Sequence, residues 1–301
     1  MRLEALHHIT MITGDARANV AFHADTLGLR LVKKTVNFDQ PEAYHLYFGD
    51  EQGSPGSILT WFEFPGAARG RAGAGAIHLI QLSVPTERSL EFWAARLGTP
   101  APAGGTLRFE DHDGLAFELV ADDGANPPLR ATHPQVPAEH AITGVWGARS
   151  YAPADAPAVE EPFLTQTLGF TPLGANEYRL DGEHRTVRWA YDPPPAHGAI
   201  QGAGSVHHIA WASQDADHLA WQERVRETGA YVTEVRDREY FRSIYFGEPR
   251  GVLFEIATLS PGFAVDEDPA HLGEALRLPA QHEHLRAHLE HALTPIVNPR
   301  A

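Results

Sequence analysis

Cysteine is absent from all 301 residues. Its absence excludes disulfides, thiolate nucleophiles, Cys-ligated zinc and iron–sulfur clusters, so any metal must be held by His, Asp or Glu. It also fits a reducing compartment, and a cytoplasmic location is expected. No run of about 18 apolar residues occurs, so no membrane span is expected. The start, Met1-Arg-Leu-Glu-Ala-Leu-His-His8, lacks the apolar core of a secretory leader. Positive charge is scarce: 24 Lys and Arg against 39 Asp and Glu leave a net charge of −15. Such a surface argues against nucleic acid or an anionic membrane as partner, since both need a basic face. What is present suffices for a folded core. Hydrophobic residues make up 43% and aromatics 9%, and the length allows two ordinary domains or one large one.

The chain repeats itself. Leu6-His-His-Ile-Thr-Met-Ile-Thr-Gly-Asp15 matches Val206-His-His-Ile-Ala-Trp-Ala-Ser-Gln-Asp215 without a gap. In each copy an apolar strand runs into an Asp suited to capping a helix. The helices are predicted over 16–26 and 216–228, stopped by Gly28 and Gly229. Two weaker copies lie between. Ala76-Ile-His78-Leu-Ile-Gln-Leu-Ser-Val leads through Pro85-Thr86 into a helix over 87–97, and Ile142-Thr-Gly144-Val-Trp leads into a helical stretch ending near Leu168-Gly169. Short β-like runs follow each helix. Units therefore begin near 4, 75, 140 and 204, each reading β-α-β-β-β or a shortened form. The expected fold class is α+β. Segments 1–125 and 138–262 hold two units each, Asp122-Asp-Gly-Ala-Asn-Pro-Pro is the linker, and 263–301 is a tail. A helix over 279–293 carries His282, His284, His288 and His291, a pattern that reads first as a solvated face.

Glu255 stands in the apolar run Val252-Leu-Phe-Glu-Ile-Ala, where a bare carboxylate is prohibitively costly without a partner. A metal cation is one such partner. Adjacent strand residues point to opposite faces, so only one histidine of each His-His pair faces a common site on a flat strand. Aligned on the Asp or Pro that opens each helix, the second of each pair falls level with His8, His78, Gly144 and His208. Strand ends align through Gly-x-x-x-Glu: Gly251 to Glu255 matches Gly114 to Glu118, whereas Gly56 leads to Thr60. Pairing units one and four gathers His8, Thr60, His208 and Glu255. Pairing three and four leaves only His208 and Glu255. Pairing one and two gathers His8, His78 and Glu118, so two candidate sets stand, and the doubled His-His at 7–8 and 207–208 favours the first. Against that, a lone His78 in an apolar strand is more often a hydrogen-bonded core residue, and Glu118 near a strand end can reach solvent. Two imidazoles and one carboxylate form the ligand set of a facial non-haem iron(II) site with open positions.

With Arg238-Glu-Tyr-Phe-Arg-Ser-Ile-Tyr245-Phe-Gly-Glu-Pro-Arg-Gly-Val-Leu-Phe-Glu255, Tyr44-His-Leu-Tyr-Phe-Gly-Asp50 and the two His-His-Ile strands, the chain resembles the vicinal-oxygen-chelate superfamily. Within it, nearly the whole chain is similar to bacterial ring-cleaving dioxygenases of the hydroquinone 1,2-dioxygenase type. The resemblance implies four βαβββ units paired into two cups, with units one and four sharing a site. It implies Fe(2+), with Mn(2+) as the alternative, on His8, His208 and Glu255, surrounded by Thr10, His207, Arg238 and Tyr245. His207 or Tyr245 would handle protons and Arg238 would stabilise negative charge. For His207 to face the same site as His208, a bulge in the strand or a position at the site's edge is needed. The implied activity opens a dihydroxylated aromatic ring with O2; the partners are then that small aromatic and O2, in a chain that could also self-associate. The rival is a glyoxalase-like isomerase, lyase or thiol transferase using the metal without O2.

Overall fold

A computed structural model describes residues 1–122, 124–153, 162–174 and 176–300. The four units are there. The first contributes β1 (Leu3–Thr13), β2 (Arg30–Val36), β3 (Tyr44–Gly49) and β4 (Ile58–Glu63). The second contributes β5 (Ile77–Val84), β6 (Thr106–Glu110) and β7 (Ala116–Ala121). The third gives β8 (Gly144–Tyr151), β9 (Thr171–Gly174), β10 (Glu177–Asp181) and β11 (Thr186–Asp192). The fourth gives β12 (Val206–Ser213), β13 (Arg236–Asp237), β14 (Arg242–Gly247) and β15 (Leu253–Thr258).

They assemble as two sheets. Units one and four make an eight-stranded sheet in the order β13-β14-β15-β12-β1-β4-β3-β2, and units two and three make a seven-stranded one, β6-β7-β5-β8-β11-β10-β9. Each sheet therefore takes one unit from each half of the chain. In both, the first strands of the two units pair antiparallel at the centre, β1 with β12 and β5 with β8. Each of these strands also pairs in parallel with the last strand of its own unit. This gives the α+β, paired-cup architecture.

The helices follow their caps. Asp15 accepts from the amides of Arg17 and Ala18 at 2.9 and 3.1 Å, starting α1 (Ala16–Val20), which continues as a π-helical turn over Ala21–Thr26. Thr86 caps α2 (Glu87–Leu97), and Gly98 ends it at φ 66°, a backbone conformation suited to glycine. In the fourth unit the predicted cap is diverted. Asp215 gives its carboxylate to the Ser260 hydroxyl and amide, so a 3₁₀ turn (Asp215–Asp217) precedes α3 (His218–Arg226), shorter than the predicted 216–228. The third unit's helical stretch lies partly outside the described residues. Its described part is a π-helical turn over Phe163–Leu168, closed by Gly169.

The tail wraps the first unit. The predicted helix over 279–293 is two pieces, a 3₁₀ segment (Ala280–Leu285) and α4 (Arg286–Ala292). The solvated-face reading of its histidines holds at His288, which is exposed, and needs correction at His282, which is half-buried. His282 Nε2 lies 2.8 Å from the Phe38 carbonyl and His288 Nε2 lies 2.8 Å from Glu42, so both tie the tail to the β2–β3 loop. Beneath, Phe263 and Leu272 of the tail join Val32, Tyr47, Tyr240 and Phe241 in a small apolar cluster apart from the main core. Among the described residues, no helix is long and apolar enough to cross a membrane.

Candidate metal centre

The site sits where β1 and β12 cross the middle of the eight-stranded sheet. Their pairing passes from Leu6–Trp211 to His8–Ala210, leaving His7 as an extra residue, and from Thr10–His208 to Met11–Val206, leaving His207 extra. These are bulges, one on each strand, and they let two consecutive histidines face inward. Of the two alternatives for His207, a bulge or a site edge, the bulge is present, and His7 has its twin.

Three side chains then converge. His8 Nε2 lies 3.3 Å from His208 Nε2 and 3.4 Å from Glu255 Oε2, and His208 Nε2 lies 2.9 Å from that same oxygen. All three donor atoms fall within 4.8 Å of one another, the one such cluster among the described residues. Glu255 is 0% exposed and His8 2%. Burial alone raises a carboxyl's pKa, but the facing imidazoles His8 and His208 outweigh it and hold Glu255 well below the usual range. One carboxylate oxygen is committed, since Ser243 donates to Oε1. The other, Oε2, has no aligned hydrogen bond despite its short contacts, and it is fully buried. Two inward imidazole nitrogens beside a buried, unsatisfied carboxylate oxygen are the donor set a divalent cation satisfies.

The outer nitrogens support this arrangement. His8 Nδ1 lies 2.8 Å from His7 Nδ1, and His208 Nδ1 lies 2.7 Å from His207 Nδ1. One member of each pair must carry the shared proton. With lone pairs turned inward at Nε2, His8 and His208 carry it at Nδ1 and donate to their neighbours, which fixes tautomer and ring angle. His7 and His207 suit the acceptor role. Burial, reinforced by the adjacent imidazole, pushes their pKa values down to about 3 and about 4, so both stay neutral.

Above this floor opens a cavity of about 370 Å³. Phe38, Phe62, Phe241 and Leu253 supply apolar walls, and His45, Tyr47, Arg238 and Tyr245 supply polar ones. Arg238 Nε donates to the Tyr245 hydroxyl at 3.3 Å, and Nη2 reaches Asp39 at 3.3 Å. Arg238 is thus a cavity cation, and Tyr245 more than strand packing. Burial, with Glu255 nearby, pushes the Tyr245 hydroxyl pKa up, so it remains protonated. Thr10 lies level with His208 and Thr60; its buried hydroxyl has no hydrogen-bond partner among the described residues.

The other candidate set does not assemble. His78 and Glu118 belong to the seven-stranded sheet, away from His8. His78 Nε2 lies 2.8 Å from Asp192 Oδ2 and its ring stacks on Tyr151 at 3.8 Å. Glu118 accepts from Gln81 at 2.6 Å and from Arg108 at 2.9 Å. The register placing His78 and Gly144 level with His8 is off as well. The helix starts from Thr86, not Pro85, and His78 and Trp146 are the extra residues of the β5–β8 bulges. Leu79 and Gly147 take the places of His8 and His208.

Several site residues escaped the sequence reading: His7, Ser243, Phe241 and the pair His45 and Tyr47. A signal for the last two existed. They alternate on β3, polar groups two apart in an otherwise apolar strand.

The sequence matches the model of the Glyoxalase/Bleomycin resistance protein/Dioxygenase superfamily over residues 5–119 and 161–256. The chain belongs to that superfamily. Among curated relatives, MhqO of Bacillus subtilis, named provisionally as a ring-cleaving dioxygenase, is 40% identical over 96% of each chain. The chlorohydroquinone/hydroquinone 1,2-dioxygenase of Sphingobium indicum is 34% identical over 98% of each. A crystal structure of a provisionally named dioxygenase from Bacillus subtilis superposes with a TM-score of 0.90 at 37% identity, covering 100% of this chain and 99% of that one. Glyoxalase I of Zea mays superposes at 0.56 with 14% identity, over 84% of this chain and 92% of its own, a likeness of fold.

Proposed function

We propose that the protein is an iron(II)-dependent ring-cleaving dioxygenase acting on a dihydroxylated, hydroquinone-like aromatic with O2. The observation that carries this reading is the convergence of His8, His208 and Glu255 at the floor of an aromatic-walled cavity. The names of the relatives support the substrate class. His8, His208 and Glu255 would hold the ion, and iron(II) there would supply Lewis acidity towards a phenolic oxygen and redox chemistry with O2.

The chain's own residues do the rest. Phe62 and Phe241 flank the floor as flat apolar faces suited to a ring. Arg238 places a fixed positive charge beside the cavity, where it favours substrate oxygens that lose protons. His207, neutral and lining the cavity, offers Nε2 as a proton site, and Tyr245 offers a hydroxyl proton. Manganese suits the same donors, and metal reconstitution distinguishes the two ions.

The glyoxalase-like rival calls for a donor set richer in carboxylate. Here the place equivalent to Glu255 is Thr60, a poor ligand, which favours the dioxygenase. Oxygen uptake by anaerobically iron-loaded protein is the test, with hydroquinones and catechols supplied in turn. Uptake of one O2 per ring opened is expected. No uptake with any dihydric phenol, alongside metal-dependent turnover of a thiol adduct, moves the assignment to the rival. His78→Ala and Glu118→Ala are expected to keep wild-type metal content after dialysis, read by elemental analysis; an emptied site in either locates the ion in the other sheet.

A further inference from the structure

The eight-stranded sheet is built twice about a pseudo-twofold between β1 and β12, and the repeat exposes a second polar constellation. On one side Tyr245 of β14 pairs with Glu255 of β15, and Ser243, two residues earlier, donates to that carboxylate. On the other side Tyr47 of β3 pairs with Thr60 of β4, and His45, two residues earlier, bonds Thr60. A large carboxylate with a small hydroxyl is thus answered by a small hydroxyl with a large imidazole. The fourth corner is filled at similar volume and without a charge.

These groups form a chain. His45 Nε2 lies 2.5 Å from Thr60 Oγ1, and the Tyr47 hydroxyl lies 2.8 Å from His45 Nδ1. All three residues are buried. Burial holds the His45 pKa well below its ordinary value, so the imidazole carries one N–H. Each hydroxyl carries one O–H. Three protons thus serve two hydrogen bonds, and one hydroxyl proton is left over. Of the two ends, Tyr47 lines the cavity. With Thr60 donating to His45 Nε2 and His45 Nδ1–H donating to the Tyr47 oxygen, the spare proton is the Tyr47 hydroxyl's, and His45 is its one hydrogen-bond partner among the described residues. A buried hydroxyl with an uncommitted proton gains from any acceptor that arrives.

We infer that Tyr47, aimed by His45 and Thr60, binds substrate by donating a hydrogen bond to the second oxygen of a dihydroxylated ring whose first oxygen faces His8, His208 and Glu255. The inference rests on the ring-cleaving reading. Strand spacing supports the division of labour: β3 lies two strands from β1, about 10 Å at ~4.8 Å per strand, which leaves room for a ring between the two oxygens. Tyr47 is then a substrate-binding residue, and His45 a positioning one.

The test is anaerobic calorimetric titration of metal-loaded protein with hydroquinone and, separately, with phenol, which lacks the second oxygen. Tyr47→Phe is expected to weaken hydroquinone by about tenfold and phenol by under about twofold, a change in ratio that a general loosening of the pocket does not produce. Metal content of the variant reports whether the floor is intact. Equal losses for the two ligands, or none for hydroquinone, overturn this inference alone. Failure of hydroquinone to bind the wild-type protein overturns the ring-cleaving reading and this inference with it.

Discussion

Glu255→Gln is expected to remove most of the metal-induced stabilisation while leaving the metal-free protein folded. The side chain keeps its shape, Ser243 still has an oxygen to donate to, and the new amide N–H can donate to the inward lone pair of His208. The variant therefore loses charge without losing packing. In the wild-type protein an anionic oxygen buried without an aligned hydrogen bond is a standing cost, of the kind functional sites impose on stability. The metal-free variant is thus expected within about 1 kcal/mol of the metal-free wild type. With iron(II) or manganese(II) at a thousand times its dissociation constant, the wild-type protein gains about 4 kcal/mol. The variant gains at most about 1.4 kcal/mol at the same concentration, because its affinity falls on the order of a hundredfold or more, beyond what loss of an outer-shell partner costs. Scanning calorimetry under anaerobic conditions with and without the ion reads both quantities. A wild-type melting temperature indifferent to every divalent ion, with Glu255→Gln strongly destabilised, makes the trio a structural hydrogen-bonded cluster instead.

The sequence carried the repeat and the trio because both are written in local pattern. Four strand-turn-helix openings recur, two of them on the same His-His-Ile and Asp pattern, and Glu255 stands out as one charge in an apolar run. The bulges at His7 and His207 were less legible. A bulge changes which backbone groups pair, not which residues are apolar, and only the need to turn two adjacent histidines inward hinted at one. The same invisibility shifted the second unit's register by one, which on a strand exchanges faces and made His78 look like the counterpart of His8. Asp215 illustrates a different failure: a good capping residue was claimed by Ser260, 45 positions away, and no local rule sees that partner. The role of His45 required knowing that β3 lies against β4 at Thr60, a matter of sheet order.

Lys33→Ala is expected to cost about 3–5 kcal/mol and to loosen the tail from the cup. Lys33 is 0% exposed, although it sits in the strand β2 with a full positive charge to place. The tail answers it. Nζ reaches Asp266 Oδ1 at 2.6 Å, contacts Glu267 Oε2 and lies 4.8 Å from the centre of the Tyr240 ring, while the Tyr240 hydroxyl donates to Asp266. Removing the ammonium leaves the Glu267 carboxylate buried with Arg277, 3.6 Å away, and the half-buried Lys34 as weak counterions. The damage is not confined to the tail. Tyr240 packs on Phe263 and precedes Phe241, whose ring lies 4.8 Å from His7 and 5.1 Å from His8. A tail released at this latch therefore withdraws support from the wall beside the candidate ligands. Urea denaturation is expected to show the loss of stability, and limited proteolysis to show earlier cleavage beyond Pro261. Adding Glu267→Gln to a Lys33→Met background is expected to recover a large part of the loss, since the stranded charge dominates it. A cost under about 1 kcal/mol for Lys33→Ala, the range of an exposed pair, shows that the tail is held by its apolar contacts alone.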